Sequence, residues 1–366
     1  MKYKLVNKVI DNNYLVEYLR TKGVENFEEY LNPPASTLSP PELLDNIKEG
    51  AALIEAFLKT DKVMFLLVDC DCDGFTSSAI LYSYLRRIKP DVKIQIGIHE
   101  GKQHGLEDQM EVIGEVENLG LIVTPDAGSN DIDYHKQIDV PVLVLDHHIL
   151  ESEVLPHVIV VNNEASKEYP NKALTGAGVV FQFCRYLDKI FGTSYANDYM
   201  DLAALGIIGD MGSLLTLENR YIVKNGLENI KNSFFSTLCE KQSFSMGGKI
   251  TPMTVAFYVV PLINAMVRFG KEEEKERMFL AFADGKQMVP CLKRGAKGTF
   301  EKVAVESARE CGNARINQNK TKQSAVEALE ARIFKEGLID NQILLIVLGE
   351  EDDFPRELNG LTLLAR

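Results

Sequence analysis

The chain has no tryptophan, only six cysteines in 366 residues, and nowhere a run of about eighteen apolar residues. The missing run removes the sequence basis for a membrane span. The N-terminus, MKYKLVNKVIDNNYLVEYLR, likewise has no apolar stretch of the signal-peptide kind before its charges. A cytoplasmic protein without a membrane partner is expected. The cysteines (Cys70, Cys72, Cys184, Cys239, Cys291, Cys311) fit neither a disulfide framework nor a repeated CxxC zinc pattern, so they read as reduced, buried small hydrophobes. A zinc pair of Cys70 and Cys72 is set aside because strand alternation would turn both away from the neighbouring aspartates. Internal repeats and low-complexity segments are absent too. Basic charge is in deficit: 40 Lys and Arg face 53 Asp and Glu, a net charge of −13, which argues against non-specific polyanion binding. The deficit is uneven, however. Between Lys286 and Lys335 basic residues outnumber acidic ones (Lys293, Arg294, Lys297, Lys302, Arg309, Arg315, Lys320 and Lys322 among them), which leaves room for a nucleic-acid partner.

What is present is a change of hydrophobic period. Residues 1–60 read as a helical preparatory region, in which SPPELLDNIKEGAALIEAFLKT opens a helix through Ser39 and its prolines. Five short β-branched runs follow: KVMFLLVDCD, VKIQIGIHE, LGLIVTPDAG, VPVLVLDHH and PHVIVVNNE. With helical patterns such as TSSAILYSYLRRI between the first few, they imply an α/β fold, a mostly parallel sheet flanked by helices. Ligands of such sheets sit beyond the carboxyl ends of the strands, where this chain concentrates its Asp, His and Asn. From about residue 175 the pattern is helical, including GAGVVFQFCRYLDKIF, DYMDLAALGIIGDM, NRYIVKNGLENIKNSFF and VAFYVVPLINAMVRFG. A polar amphipathic stretch near 299–336 reads as a linking helix, and NQILLIVLGEEDDFPRELNGLTLLAR as one strand and the beginning of a helix of a second α/β domain, truncated in this chain because some thirty residues bury no core of their own. The expected domains are 1–60, helical; 61–285, catalytic; 286–336, basic linker with a long helix; and 337–366, an incomplete second domain.

VDCDCDGFTSSA sets Asp69, Asp71 and Asp73 at alternate positions, a concentration of like charge that a cation would relieve. Asp-x-Asp-x-Asp-Gly also opens a calcium-binding EF-hand loop, but the twelfth position, which needs a bidentate glutamate, is Ile80, and a strand rather than a helix precedes the motif. Asp126 in IVTPDAGSND, Asp146-His147-His148 closing VLVLDHH, and Asp210 in GIIGDM supply further groups at the same predicted edge. Singly they have plain readings: a turn former, a satisfied histidine, a helix-end acid whose charge is unfavourable there. Together, oxygen-rich ligands with one or two imidazoles suit a pair of Mn2+ or Mg2+ ions, the arrangement of two-metal phosphoester hydrolysis.

DCDCDG, PDAGSND, LDHH and GIIGDMGSL, in this order, resemble the four motifs of the DHH phosphoesterase superfamily. The flanks YLNPPASTLSPPELL, HEGKQHGL, VNNEASKEYPNKALTGAGVVF, LENRYIVKNGL and PLINAMVRFG resemble RecJ single-strand exonucleases, so the likeness covers nearly the whole chain. The resemblance implies metal ligation by Asp71, Asp73, Asp126, His147 and Asp210, with Asp69 a further candidate. It implies that His148 meets the substrate phosphate or assists the leaving group, while Asp146 orients the histidines. Asn264 and Arg268 match positions near the family's active site, Arg268 as a phosphate contact. Gly176 and Gly178, in the TGAG turn that opens a helix, would offer backbone N–H groups to a phosphate, or simply allow close packing. Two departures stand out: Leu262 occupies a position where RecJ proteins often have arginine, a contact that Lys102 or Arg294 could replace, and His104 stands where tyrosine is common. The implied function is 5′-to-3′ hydrolysis of single-stranded DNA in repair or recombination, with a single-strand-binding protein or a helicase as further partners. The alternatives are a DHH enzyme acting on oligoribonucleotides, cyclic dinucleotides or pyrophosphate, and a non-catalytic replication scaffold of the same fold. Retention of every acidic motif position counts against the scaffold.

Overall fold

The computed structural model describes residues 14–99, 103–293, 295, 296, 298–335 and 337. The segment read as the start of a second domain lies outside them, apart from residue 337. All five β-branched runs form strands: β1 Val63–Val68, β2 Ile94–Ile98, β3 Leu119–Pro125, β4 Val142–Asp146 and β5 Val158–Asn162. They make one sheet in the order β2-β1-β3-β4-β5, every neighbouring pair parallel. Because the chain moves from β1 outward to β2 and then returns to the other side of β1 for β3, the order reverses between β1 and β3. Beyond the carboxyl ends of the strands at such a reversal the backbone diverges and leaves a crevice.

Alternation along the strands divides the interior. Met64, Leu66 and Val68 of β1, with Val123, Leu143 and Val161, face a large core that also holds Phe75, Phe181 and Leu205. Phe65 and Leu67, with Ile122, Val142 and Val160, face a smaller core closed by Leu106, Ile113 and Ile138. Among the described residues, the nine helices that complete the body around the sheet are α1 Ile47–Leu58, α2 Cys72–Ile88, α3 Gly176–Phe191, α4 Met200–Gly209, α5 Leu217–Glu228, α6 Ser233–Lys241, α7 Val260–Phe269, α8 Glu272–Asp284 and α9 Val303–Lys335. Buried apolar residues of α1 to α8 join the large core, as do Val303, Ala304, Ala308, Cys311 and Ala314 at the start of α9. Between α8 and α9, Met288–Pro290 and Phe300–Lys302 pair as a short antiparallel ribbon.

Several local expectations need correction. The first long helix does not open at Ser39: Pro41–Leu43 is a separate 3-10 turn, and Asn46, in the left-handed region at φ 61°, redirects the chain so that α1 starts at Ile47. The run NRYIVKNGLENIKNSFF is two helices, because Asn232 caps a new one by accepting hydrogen bonds from the amides of Phe234 and Phe235. Arg309 of the basic stretch is committed internally, with an ion pair to Glu301 at 2.6 Å and a second to Glu306. Pro252–Phe269, at mean hydropathy 1.4, is long and apolar enough to cross a membrane. Val259, Leu262, Ile263 and Met266 within it are buried in the large core.

Candidate metal centre

Beyond β1 the chain carries Asp69, Asp71 and Asp73. The Asp71 side chain caps α2: its Oδ1 accepts the amides of Asp73 at 2.8 Å and Gly74 at 3.0 Å. The cap starts the helix at Cys72, so Cys70 and Cys72 are not alternating strand residues, and the argument that set them aside as a zinc pair does not apply. Cys72 is fully buried, and its amide donates to Asn264 Oδ1 at 3.0 Å, which ties the loop to α7. Gly74 is required by proximity, because a Cβ there would stand 2.6 Å from the Asp69 carbonyl oxygen.

Beyond β3, Asp126 adopts φ 64°, rare for a non-glycine residue and a form of backbone strain that clusters at functional sites. Its amide is held by the Leu145 carbonyl of β4 at 2.8 Å. Asp73 is buried against the N-terminus of α3, where Thr175 Oγ1 (3.0 Å) and the amides of Gly176 (2.7 Å) and Ala177 (3.1 Å) all donate to its carboxylate. The TGAG turn therefore turns its donors on Asp73, in the place expected for a substrate phosphate. Gly176 serves instead as space, since its Cβ would fall 2.3 Å from Asp126 Oδ1, and Gly178 as close packing, with a Cβ 2.4 Å from Leu174.

Beyond β4, buried Asp146 Oδ1 accepts the His147 amide at 2.7 Å, the His148 amide at 3.3 Å and His148 Nδ1 at 2.7 Å, while its Oδ2 accepts the Ser129 amide at 3.2 Å. His147 Nε2 reaches Asp126 Oδ1 at 3.2 Å and Asp210 Oδ2, from the end of α4, at 3.8 Å. Gly206 of α4 permits this approach, because a Cβ there would lie 2.3 Å from Asp73 Oδ1. On the other flank, His104 Nδ1 lies 2.7 Å from Asp69 Oδ2, and His99, following β2, has Nε2 3.5 Å from Asp69 Oδ1.

Four overlapping sets result, Asp69-Cys70-His104, Asp69-Asp71-Asp126, Asp126-Asp146-His147-His148 and Asp73-His147-Asp210, each with its ligand atoms within 4.8 Å of one another. Burial, joined by the charges of Asp69 and Asp210, raises Asp71. Burial, with Asp71 and Asp210, pushes Asp73 up to about 7, and burial with Asp73, Asp71 and Asp69 drives Asp126 well above the carboxylate range. Burial works the same way on Asp146 and is the largest single influence, but the hydrogen bond and charge of His148, the Ser129 hydrogen bond and the charge of His147 together outweigh it and hold that carboxyl far below its usual range. The bond to Asp146 raises His148 to about 9, and the bond to Asp69 raises His104 to about 10. Burial and neighbouring His148 lower His147, leaving it neutral and fit to ligate. Asp69 Oδ1 and Asp126 Oδ1 are buried without a hydrogen-bond partner among the described residues. Crowded, under-satisfied oxygens beside a neutral imidazole fit hard divalent cations such as Mn2+ or Mg2+.

Asn264 meets the site through the Cys72 amide. Arg268, one helical turn further along α7, is half-buried with Nε unpartnered among the described residues. Leu262 is buried. Lys102 and Arg294 lie outside the described residues. Sequence reasoning missed His99 and Ser129, and took Thr175 only as the first residue of the TGAG turn. His99 had a usable signal, because it follows its strand as Asp69 and Asp126 follow theirs, whereas Ser129 is an ordinary loop residue.

Residues 63–207 match the DHH family, N-terminal domain. The chain is 34% identical over 370 residues to a Bacillus subtilis protein, YorK, named as an SPbeta prophage-derived single-strand DNA-specific exonuclease, covering 99% of this chain and 62% of that one. To the single-stranded-DNA-specific exonuclease RecJ of Thermus thermophilus it is 32% identical over 262 residues, 69% of this chain and 37% of the relative. The solved structure of Thermus thermophilus RecJ with Mn2+ superposes with a TM-score of 0.64 at 27% identity, over 82% of this chain and 42% of the other. A second RecJ structure bound to manganese gives 0.65 at 27% identity, over 82% and 72%. The chain thus spans at most 62% of the length of these two curated relatives.

Proposed function

Residues 63–207 belong to the DHH family, and from that premise we propose that the chain is an exonuclease that hydrolyses phosphodiester bonds of single-stranded DNA from the 5′ end with two Mn2+ or Mg2+ ions. The names of its RecJ relatives and the manganese in their solved structures support the substrate and the metal. The observation that carries the reading is the crowding of Asp71, Asp73 and Asp126, whose charges a divalent cation among them would balance in place of protons. In this reading Asp71, Asp73, Asp126, His147 and Asp210 hold the ions, with Asp69 at the margin of the set. When bound, such ions supply an activated water and neutralise charge developing on the phosphoryl oxygens.

The chain's own groups do the rest. Thr175 and the α3 amides fix the Asp73 carboxylate, so a ligand meets it without reorganisation. Asp146 takes Nδ1 of His148 and leaves Nε2 to donate to a phosphate oxygen or to the leaving oxygen. Asn264 holds the Cys72 amide and with it the loop that carries Asp71 and Asp73. Arg268 is the phosphate contact offered by α7. Repair or recombination is the proposed setting, with a single-strand-binding protein or a helicase as partner and the cytoplasm as location.

Digestion of 5′- and 3′-labelled single strands with and without Mn2+, by wild type and Asp126→Ala, tests the proposal. Mononucleotide release from the 5′ end by the wild type alone, and only with metal, is expected. Release from the 3′ end would overturn the polarity, cleavage confined to dinucleotides would overturn the substrate, and an active Asp126→Ala would overturn the site.

A further inference from the structure

We propose that His104 is a second substrate-contacting imidazole, which, granted the nuclease reading above, donates from Nε2 to a phosphate of the DNA strand neighbouring the one being cut. One arrangement occurs twice in the site. Asp146 and Asp69 are each 1% exposed, and each engages Nδ1 of a histidine at 2.7 Å. Both rings, His148 and His104, have side chains 56% exposed. Each buried carboxylate thus fixes a ring through one nitrogen and presents the other side of it to solvent. Among the described residues the further polar neighbour of His104 is the Cys70 thiol, 3.5 Å from both ring nitrogens, a weak partner that leaves Nε2 available to a stronger acceptor.

Position gives the repetition its meaning. Asp69 follows β1 and Asp146 ends β4, with β3 and its Asp126 between them. The ligand sets overlap in the same order: Asp69 is grouped with Asp126, and Asp126 with Asp146. The row therefore runs His104, Asp69, Asp126, Asp146, His148, with an imidazole at each end and the candidate metal ligands inside. Neighbouring strands are about 4.8 Å apart, so β1 and β4 are separated by about 10 Å. A backbone bearing one phosphate per nucleotide can meet both ends of such a row while its scissile group lies in the middle. One isolated phosphate does not fill it.

A binding cycle tests this. Affinity for a short single strand is measured with Ca2+ in place of Mn2+, for wild type, His104→Ala and His104→Gln, using the natural strand and strands with one neutral methylphosphonate at each of the first few linkages in turn. His104→Ala is expected to weaken binding of the natural strand about tenfold. One methylphosphonate position should weaken wild type by a similar factor and have no further effect on His104→Ala, while His104→Gln, which keeps a donor, recovers part of the loss. Losses that simply add at every position, or unchanged affinity of both variants, would overturn the assignment. A wild type that binds and cuts single strands with an additive cycle overturns His104 alone. One that neither binds nor cuts them overturns the nuclease reading as well.

Discussion

Two clusters of this molecule bury carboxylates, and they treat them in opposite ways. Glu218 of α5 is 3% exposed and accepts from the Ser39 amide at 2.8 Å, Tyr169 Oη at 3.0 Å, Asn171 Nδ2 at 2.9 Å and Gln182 Nε2 at 2.6 Å. The donors come from three segments, the loop before α1 (Ser39), the loop between β5 and α3 (Tyr169 and Asn171) and α3 itself (Gln182), so one charge fastens all three to α5. Asp126 is equally buried, yet among the described residues its Oδ1 meets the His147 ring at 3.2 Å without a formed hydrogen bond, and its near neighbours include Asp73, Asp71 and Asp69. A buried charge with its donors in place is structure; buried charges that press on one another mark a place kept for something else.

The sharpest way to break that contrast is to remove one carboxylate from each cluster. Asp126→Ala should lose about a thousandfold or more in single-strand hydrolysis, while metal-free protein melts at the wild-type temperature or above it, because repulsion has been relieved. Glu218→Ala should do the reverse: about 3 kcal/mol of stability lost in denaturant unfolding, since several buried donors are left unpaired, with turnover per folded molecule unchanged. If both variants lost stability alike, the contrast would be false.

A smaller effect sharpens the comparison inside the site. Gly206→Ala would push a methyl group against Asp73 Oδ1, and Asp146→Asn would weaken the hold on His148. Each should cost about ten- to a hundredfold, the first in Mn2+ affinity by calorimetry, the second in kcat. Calorimetry that finds wild-type Mn2+ affinity in Gly206→Ala would show that the approach of α4 to Asp73 is incidental.

The smallest effect is on pH. The Asp73 carboxyl sits near 7 in the folded metal-free protein and near 3.8 when unfolded, so between these values the folded state binds the extra proton. Its contribution to metal-free stability therefore falls as pH rises through that window, and Mn2+ binding should release protons. Calorimetry at pH 6 in buffers of different ionisation enthalpy should find net proton release on Mn2+ binding that shrinks by pH 8. No proton release at pH 6 would count against the crowding.

The same contrast explains what was legible in the chain. The sheet was readable because its signal is local: five β-branched runs, each ended by a polar residue, became five parallel strands with Asp69, His99, Asp126, Asp146 and Asn162 at or just beyond their carboxyl ends. The candidates Asp69, Asp126 and His147 were readable for the same reason, since a strand end fixes where its next side chain stands, whereas Asp71 and Asp73 stand in the cap and first turn of α2 and Asp210 at the end of α4. The Asp73 cradle was not, because Thr175, Gly176 and Ala177 lie about a hundred residues away and a helix N-terminus looks alike whether it awaits a phosphate or already holds a carboxylate. Nor was the part played by His104, whose partner Asp69 lies 35 positions earlier. The onset of α2 was misread because Asp71 acts as a cap as well as a candidate ligand.

The most direct measurement is anomalous diffraction at the manganese edge from crystals of the chain grown with Mn2+. The account predicts two peaks, both among Asp71, Asp73, Asp126, His147 and Asp210. Well-ordered side chains at these positions with no peak between them, in crystals saturated with the ion, would contradict it.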